Sequence, residues 1–409
     1  MAGAPLRIGV AGLGRAFSIM LPTFLADARV RLVGAVDPFA PARRRFESDF
    51  GAPTYDSVEA LCAAPEVQVV YVATPHQFHR EHACLAVAAG KHVLVEKPMA
   101  LSIEDCTAMI DAARAAKVQL IVGPSHNYDL PILRLYQLIQ SGAYGRVGMI
   151  TAQNYTDFLY RPRRPEELDS AQGGGVVHSQ GSHQIDILRL LGGGMLRSLR
   201  AHTGAWDRAR PTEGAFGALM QFEDGAFCLA TYSGYAHYDS DVLMDHIGEN
   251  GLPKNPADYG GARKRLRAAT AGSADGATEA AMKAARNYGG ANFMPSAASI
   301  PGQRHPHFGH ILVSCEKADL RPTPSGIAVY GDERQEFIAL APPSIPRVEV
   351  IDELVAAVLQ DHAPLHSGEW SRASTEACLA ILESAKSGRE CWLTHQVRPQ
   401  PVVSRQPSI

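Results

Sequence analysis

No apolar run in this chain of 409 residues approaches the ~20 residues that a membrane-spanning helix needs, so a membrane-embedded helical protein is not expected. Cysteine is sparse. The seven thiols (Cys62, Cys84, Cys106, Cys228, Cys315, Cys378, Cys391) include no CxxC pair. That excludes a zinc ribbon or a disulfide framework and fits free thiols in a reducing cytoplasm. An excess of positive charge is also missing: 39 Lys and Arg stand against 42 Asp and Glu, a formal charge of -3. A protein that grips nucleic acid through its phosphates is normally basic, so no nucleic-acid partner is expected. The opening MAGAPLRIGVAGLG has no basic stretch or cleavage site, so no signal peptide is expected. No internal repeat is visible.

What is present is a globular composition, 46% hydrophobic and 20% charged, with two patterns in succession. Residues 1–125 alternate short β-rich runs (Leu6–Ala11, Val30–Val36, Gln68–Ala73, His92–Glu96, Gln119–Val122) with helical stretches near Phe17–Ala26, Pro41–Phe50, Phe78–Ala89 and Ile103–Ala116. Repeated β-α units predict a doubly wound parallel sheet of Rossmann type. After a helix over Leu130–Ser141, strands near 147–155, 196–204, 215–222, 226–235, 310–316, 326–330 and 335–340 follow with few helices between them. The class is therefore α/β: an N-terminal Rossmann domain plus a C-terminal α+β domain (126–395) with a large, mostly antiparallel open sheet. Ser182–Leu191 reads as a helix within it, and helices near 349–360 and 370–387 close the chain before a polar tail, 396–409. The segment 250–304, rich in Gly, Ala, Pro and Asn, reads as a mobile insertion. Its patch Arg263-Lys264-Arg265 reads as a solvated helix face.

The sharpest local signal is Gly12-Leu13-Gly14-Arg15-Ala16-Phe17, directly after the first strand. Gly12 allows the tight turn, Gly14 lets the backbone approach a pyrophosphate, and the helix that follows offers its N–H groups to that anion. Phe17 departs from the usual third Gly or Ala. Asp37 lies 23 residues past Gly14 at the end of the second strand, where a carboxylate can hold both ribose hydroxyls. It would repel a 2′-phosphate, which favours NAD. Arg43, Arg44 and Arg45 leave NADP open. Ligands lie beyond the carboxyl ends of such strands, so Thr74-Pro75-His76 and Glu96-Lys97-Pro98 should border the nicotinamide.

The glycine turn, Thr74-Pro75 with His79, Glu96-Lys97-Pro98, and Gly181-Ser182-His183-Gln184-Ile185-Asp186 together resemble the glucose–fructose oxidoreductase / inositol dehydrogenase / MocA family. The similarity runs to the final helix near Ile381–Ala385, with 250–304 outside it. Within the family the chain is most similar to the phthalate 4,5-cis-dihydrodiol dehydrogenases. That likeness rests on Asn154–Leu168, on Gly173–Gly181 and on His307-Phe308-Gly309-His310. The resemblance implies an NAD-dependent dehydrogenase acting on a small carboxylated diol in aromatic catabolism. It also implies a cis Lys97–Pro98 bond and a homo-oligomer, dimer or tetramer, formed through the open sheet face.

The family pattern makes Lys97 the proton-transfer group. Burial and a neighbouring positive nicotinamide would both disfavour a charged lysine, whose ordinary pKa is ~10.4. His183 is the second catalytic candidate, with Asp186 at i+3 expected to fix its tautomer. Ser179 stands where many sugar and cyclitol dehydrogenases of the family carry Asp, which argues against a simple polyol. Arg161, Arg163 and Arg164 supply guanidinium groups suited to carboxylates. Tyr160, His126, Asn127 and His237 are further substrate-facing candidates. His305, His307 and His310 form H-x-H-x-x-H without a firm fourth ligand. Substrate contacts or structural roles are expected there rather than a metal. A sugar or cyclitol dehydrogenase and a non-catalytic NAD(P)-binding sensor are the rival readings.

Overall fold

The computed structural model describes residues 4–270, 276–294 and 302–401. Two sheets organise it. The first has six parallel strands: β1 (Leu6–Ala11), β2 (Val30–Val36), β3 (Thr54–Tyr55), β4 (Val69–Val72), β5 (His92–Val95) and β6 (Leu120–Val122), in the order β3-β2-β1-β4-β5-β6. Between them run α1 (Arg15–Ala26), α2 (Ala40–Phe50), α3 (Val58–Ala63), α4 (His79–Ala88) and α5 (Ile103–Ala116). β1, β4 and β5 are almost wholly buried, because helices cover both faces of the sheet. The sequence reading omitted β3 and α3. Two residues are too few to show a strand period.

The chain then leaves through α6 (Leu130–Gln140) and builds a nine-stranded sheet. Its strands are β7 (Val147–Tyr155), β8 (Leu196–Gly204), β9 (Ala215–Phe222), β10 (Phe227–Ser233), β11 (His310–Cys315), β12 (Ala318–Thr323), β13 (Gly326–Gly331), β14 (Gln335–Ala339) and β15 (Cys391–Trp392). Their order is β14-β13-β12-β11-β7-β10-β9-β8-β15. Only the central pair β7 and β10 is parallel, so the sheet is mixed but mostly antiparallel. The short β15 was not foreseen, nor was β12, which Pro322 disguises. One face packs on α7 (Ser182–Leu191) and α11 (Gly368–Ser387), placing Ile185, Leu188, Trp370 and Ile381 among inward residues of β7 to β10. The other face is open.

Two segments tie the layers together. Helix α10 (Val348–Gln360) puts Val350, Ile351 and Leu354 into the same apolar cluster as Phe24 and Tyr71, so by packing it belongs with the first sheet although it follows the second in sequence. The described part of 250–304, expected as a mobile insertion, contains regular structure. It forms α8 (Gly261–Thr270) and α9 (Gly276–Ala285), and it is anchored at both ends of the molecule. Arg263 donates to the carbonyls of Tyr235 and Ala236. Tyr288 is fully buried, edge-on to Phe17 at 5.1 Å, with its hydroxyl 2.7 Å from Asp49 on α2. The opening of the expected tail is also held, since Arg189 donates to Gln396 at 2.8 Å. Residues 402–409 lie outside the described residues.

Candidate active site

The cofactor cradle forms where β1 turns into α1. Gly12 has φ 98°, and a Cβ there would stand 2.7 Å from the carbonyl oxygen of Ala73; only glycine accepts that backbone and that neighbour. A Cβ on Gly14 would meet open space, as the approach of a pyrophosphate to the α1 N-terminus requires. Asp37 ends β2 and accepts from the Leu13 N–H at 2.7 Å, which fixes its carboxylate beside the turn. Arg15 is exposed at the head of α1, with Ala16 half-buried behind it. Loss of solvent around it, then the charges of Arg161, Arg347 and Arg286, lower the Arg15 pKa. Cations thus converge where a dinucleotide carries its negative charge, and the residues present fit NAD. Arg43 and Arg45 are already committed, to the Asp37 carbonyl and to Asp49.

Two residues expected at the cofactor have side chains buried away from the cleft. Phe17 is wholly buried against Phe46 and Tyr288, so the third fingerprint position turns into the core here. His79 is 1% exposed, with one ring nitrogen 2.9 Å from the Thr74 carbonyl and the other 2.9 Å from the Pro98 carbonyl; the neutral ring donates to one of them. Burial lowers its pKa to about 4. It bolts the tips of β4 and β5 together. Thr74, Pro75 and His76 remain at the cleft, half-buried.

Lys97 lies just beyond β5, and the Lys97–Pro98 bond is cis, as the resemblance implies. Its ammonium donates to the carbonyl of Ser179 at 2.6 Å. Ser179 sits in a π-helical turn, Val177–Gly181, immediately before α7. Such widened turns recur at functional sites. Here a backbone carbonyl takes the lysine where the family's Asp would stand. Burial lowers the Lys97 pKa, opposed by Glu96 and helped by Arg347. Glu96 is itself buried and bonded by the Tyr71 hydroxyl, and burial raises its pKa. A lysine depressed towards neutrality can accept a proton at working pH. His183 completes the cluster. Burial, then the charges of Lys97 and His126, drive its pKa well below the usual histidine value, so it is a neutral imidazole. Its Nδ1 meets Ser125 Oγ at 3.2 Å, and its ring lies edge-on to His126 at 4.8 Å.

The expected role of Asp186 is corrected. It accepts from Trp370 Nε1 at 2.6 Å and Ser374 Oγ at 2.8 Å, both on α11. The i, i+3 spacing placed it one turn below His183, but packing of α7 on α11 turned the carboxylate away. The arginine loop is corrected too. Arg164 pairs with Glu166 at 3.1 Å and Glu167 at 3.4 Å. Arg163 donates to the Phe158 carbonyl at 2.8 Å and lies 3.6 Å above that ring. The loop carries its own counter-charges, so these two cations are already spent. Arg161 differs: its Nε donates to Asp157 at 3.0 Å, its NH1 is a longer 3.6 Å from Glu249, and its side chain is 39% exposed.

Other candidates fall away from Lys97. Tyr160 donates to Asp207 at 2.8 Å under the Arg263 guanidinium. His237 lines a separate cavity with Tyr155, Trp206 and Tyr238. Asn127 is fully buried with neither amide atom bonded, so it cannot meet a substrate in this conformation. His126 stays with His183 and is held by Asp129 at 2.7 Å. His305 and His307 bond to the carbonyls of Ala341 and Ile247, each at 2.8 Å, and precede β11 rather than lying on it. His310 is on β11 itself. Among the described residues no group of three or more His, Cys, Asp or Glu could hold a metal ion. The sequence reading missed Glu249 and Arg347. Glu249 was hidden in the 245–255 stretch next to the insertion. Arg347 had only one signal, a cation between a Pro-rich turn and the start of α10.

A dinucleotide cradle facing a half-buried lysine and a neutral histidine defines an NAD(P)-dependent dehydrogenase. Comparison with known proteins agrees. Residues 6–124 match the model of the GFO_IDH_MocA oxidoreductase family with its NAD-binding Rossmann fold, and residues 132–252 match the GFO/IDH/MocA C-terminal domain. The chain belongs to this family. It is 46% identical to 1-carboxy-3-chloro-3,4-dihydroxycyclo hexa-1,5-diene dehydrogenase of Comamonas testosteroni, over 93% of this chain and 95% of that one. A crystal structure from Bordetella bronchiseptica RB50, described as that of a dehydrogenase, is 39% identical with a TM-score of 0.87, covering 95% of this chain and 100% of its own. GenD2 from gentamicin A biosynthesis, crystallised with NAD, shares the fold at 21% identity and a TM-score of 0.69, covering 96% of this chain and 98% of its own. No described helix is long and apolar enough to cross a membrane.

Proposed function

We propose that the protein oxidises the cis-dihydrodiol of an aromatic carboxylate, with phthalate 4,5-cis-dihydrodiol giving 4,5-dihydroxyphthalate as the leading case. The observation that carries the reading is the Lys97 ammonium, depressed by burial and held at 2.6 Å by the Ser179 carbonyl, facing His183 across the cleft. Bound NAD⁺ supplies the hydride acceptor. Lys97, as the neutral amine, takes the hydroxyl proton, and His183 holds the reacting oxygen. Glu96, buried and bonded by Tyr71, limits how far Lys97 is depressed. Arg161 receives the carboxylate, because only its Nε is held at hydrogen-bond distance and a guanidinium carries five N–H donors. The ketone formed first tautomerises to the catechol, and aromatisation draws the reaction forward. The 46% identical relative, named for a carboxylated dihydroxycyclohexadiene, supports this substrate class.

Purified protein mixed with NAD⁺ and either phthalate 4,5-cis-dihydrodiol or the chlorinated monocarboxylate diol is expected to form NADH, seen at its absorbance band. Turnover of myo-inositol or glucose with neither diol oxidised would reject the assignment. Turnover of the monocarboxylate alone would narrow the class to one carboxylate. The open face of the second sheet exposes Leu219, Leu229, Phe227 and Phe337, which supports pairing of copies through that face. Light scattering on the eluting protein measures it, and a monomer at micromolar concentration would exclude it.

A further inference from the structure

Beside Lys97 lies a small cavity of about 20 Å³, room for one water molecule. Lys97, Ser125, Asp186, His366, Trp370 and Cys378 are among the residues that line it. His366 is 1% exposed, and its Nε2 is buried with no hydrogen-bond partner among the described residues. Its other nitrogen is not idle. Nδ1 lies 2.8 Å from Glu353 Oε2, and the His366 backbone N–H donates to Glu353 Oε1, also at 2.8 Å. The ring is stacked on Tyr128 at 3.4 Å, which fixes its plane. A carboxylate on Nδ1 selects the tautomer with its proton there. Nε2 then carries an unused lone pair, on a ring that lines the same cavity as the proton-accepting lysine. An unsatisfied buried acceptor is costly, and a buried water is normally found where two or more polar groups can hold it.

We propose that His366, paired with Glu353, is the proton outlet of Lys97, reached through one water held in the cavity that both side chains line. The inference rests on the reading of Lys97 as the proton acceptor. In each turnover the substrate C–H electron pair leaves as hydride to NAD⁺, and the hydroxyl proton passes to Lys97 Nζ. The ammonium must then return to the amine. It gives a proton to the water, and the water gives one to His366 Nε2. The imidazolium so formed faces the Glu353 carboxylate, whose side chain is 12% exposed, and the proton leaves to solvent there. No other oxidant is required. The groups that face this ring are few: Glu353 on α10, Tyr128 beneath it, and, around the cavity, Lys97, Asp186 on α7, Cys378 on α11 and His178 on the π-helical turn. Asp186 is already occupied by Trp370 and Ser374. Burial holds Cys378 as a thiol and lowers His178 to about 4.

His366→Gln and Glu353→Gln test it, with NADH followed in the first turnover and in steady state. The expected result for both is a first-turnover burst near the wild-type rate, followed by steady turnover slower by about tenfold or more. The slow phase should carry a larger solvent deuterium isotope effect and a changed pH profile. Unaltered steady-state rate and pH profile in both variants would overturn the outlet. So would loss of the burst together with steady turnover in both, which would mean that His366 only supports the fold around Lys97. Should His366→Gln not fold, Glu353→Gln decides alone. Lys97→Ala separates the two readings: if it still turns over, the role of Lys97 fails and the outlet has nothing to serve. If it is inactive while the glutamine variants match wild type, only the outlet fails.

Discussion

The Lys97 ammonium and the Ser179 carbonyl, 82 residues apart in sequence, are joined at 2.6 Å. That bond links the tip of the first sheet to the turn that opens α7, so Lys97 is positioned by both halves of the molecule. A carboxylate at position 179 would hold the lysine charged. A carbonyl orients it without a full counter-charge, which leaves burial to lower its pKa.

Lys97→Ala is expected to cut kcat by about 10²–10⁴-fold while NAD⁺ binding, titrated by protein fluorescence, changes little. In the proposed reaction the active form is the neutral amine. Its pKa is lowered from the ordinary lysine value, so kcat/KM should rise with pH and level off well below ~10.4. A limb centred at or above that value would remove Lys97 from the acceptor role.

Asp186→Asn should affect stability rather than proton chemistry. Its carboxylate accepts from Trp370 and Ser374, and weakening a buried charged acceptor costs about 1–3 kcal/mol. Denaturant titration is expected to show that loss, with the pH profile of kcat keeping its midpoint. A displaced midpoint would return Asp186 to the proton relay.

Gly12→Ala forces an alanine to φ 98° with its Cβ 2.7 Å from a backbone oxygen. The turn must shift, and with it the α1 N-terminus. NAD⁺ affinity measured by calorimetry should fall at least about tenfold, the equivalent of ~1.4 kcal/mol. Unchanged affinity would show that the turn does not carry the cofactor.

Tyr288→Ala removes a fully buried ring that packs on Phe17 and bonds Asp49. Losses of about 3–5 kcal/mol accompany large-to-small changes of this kind. Thermal unfolding should show the drop. A variant as stable as wild type would mean that the 250–304 segment is not structurally tied to the first sheet.

Much of the fold was legible because local rules suffice for it. The helix Ile103–Ala116 and the strands Val147–Tyr155 and Leu196–Gly204 stand where their periodicity put them. Gly12 and Asp37 were singled out because a turn of fixed geometry favours such residues at that spacing, whereas Lys97 was singled out by its strand tip and by the family resemblance. The two-residue β3, by contrast, is defined by its pairing with β2 and not by its own pattern.

By itself the sequence determined the two sheets, the cradle after β1 and the lysine after β5, since each depends on dihedral preference and burial period along a short stretch of chain. Only the tertiary structure decided which partner each polar group took. It gave Asp186 to Trp370 instead of His183, Arg164 to its own loop's glutamates, and Phe17 to Tyr288. It also brought Glu249 and Arg347 to the cleft and set His366 on the cavity that Lys97 lines. Those choices follow from how buried donors, acceptors and charges are satisfied across distances that no sequence spacing records.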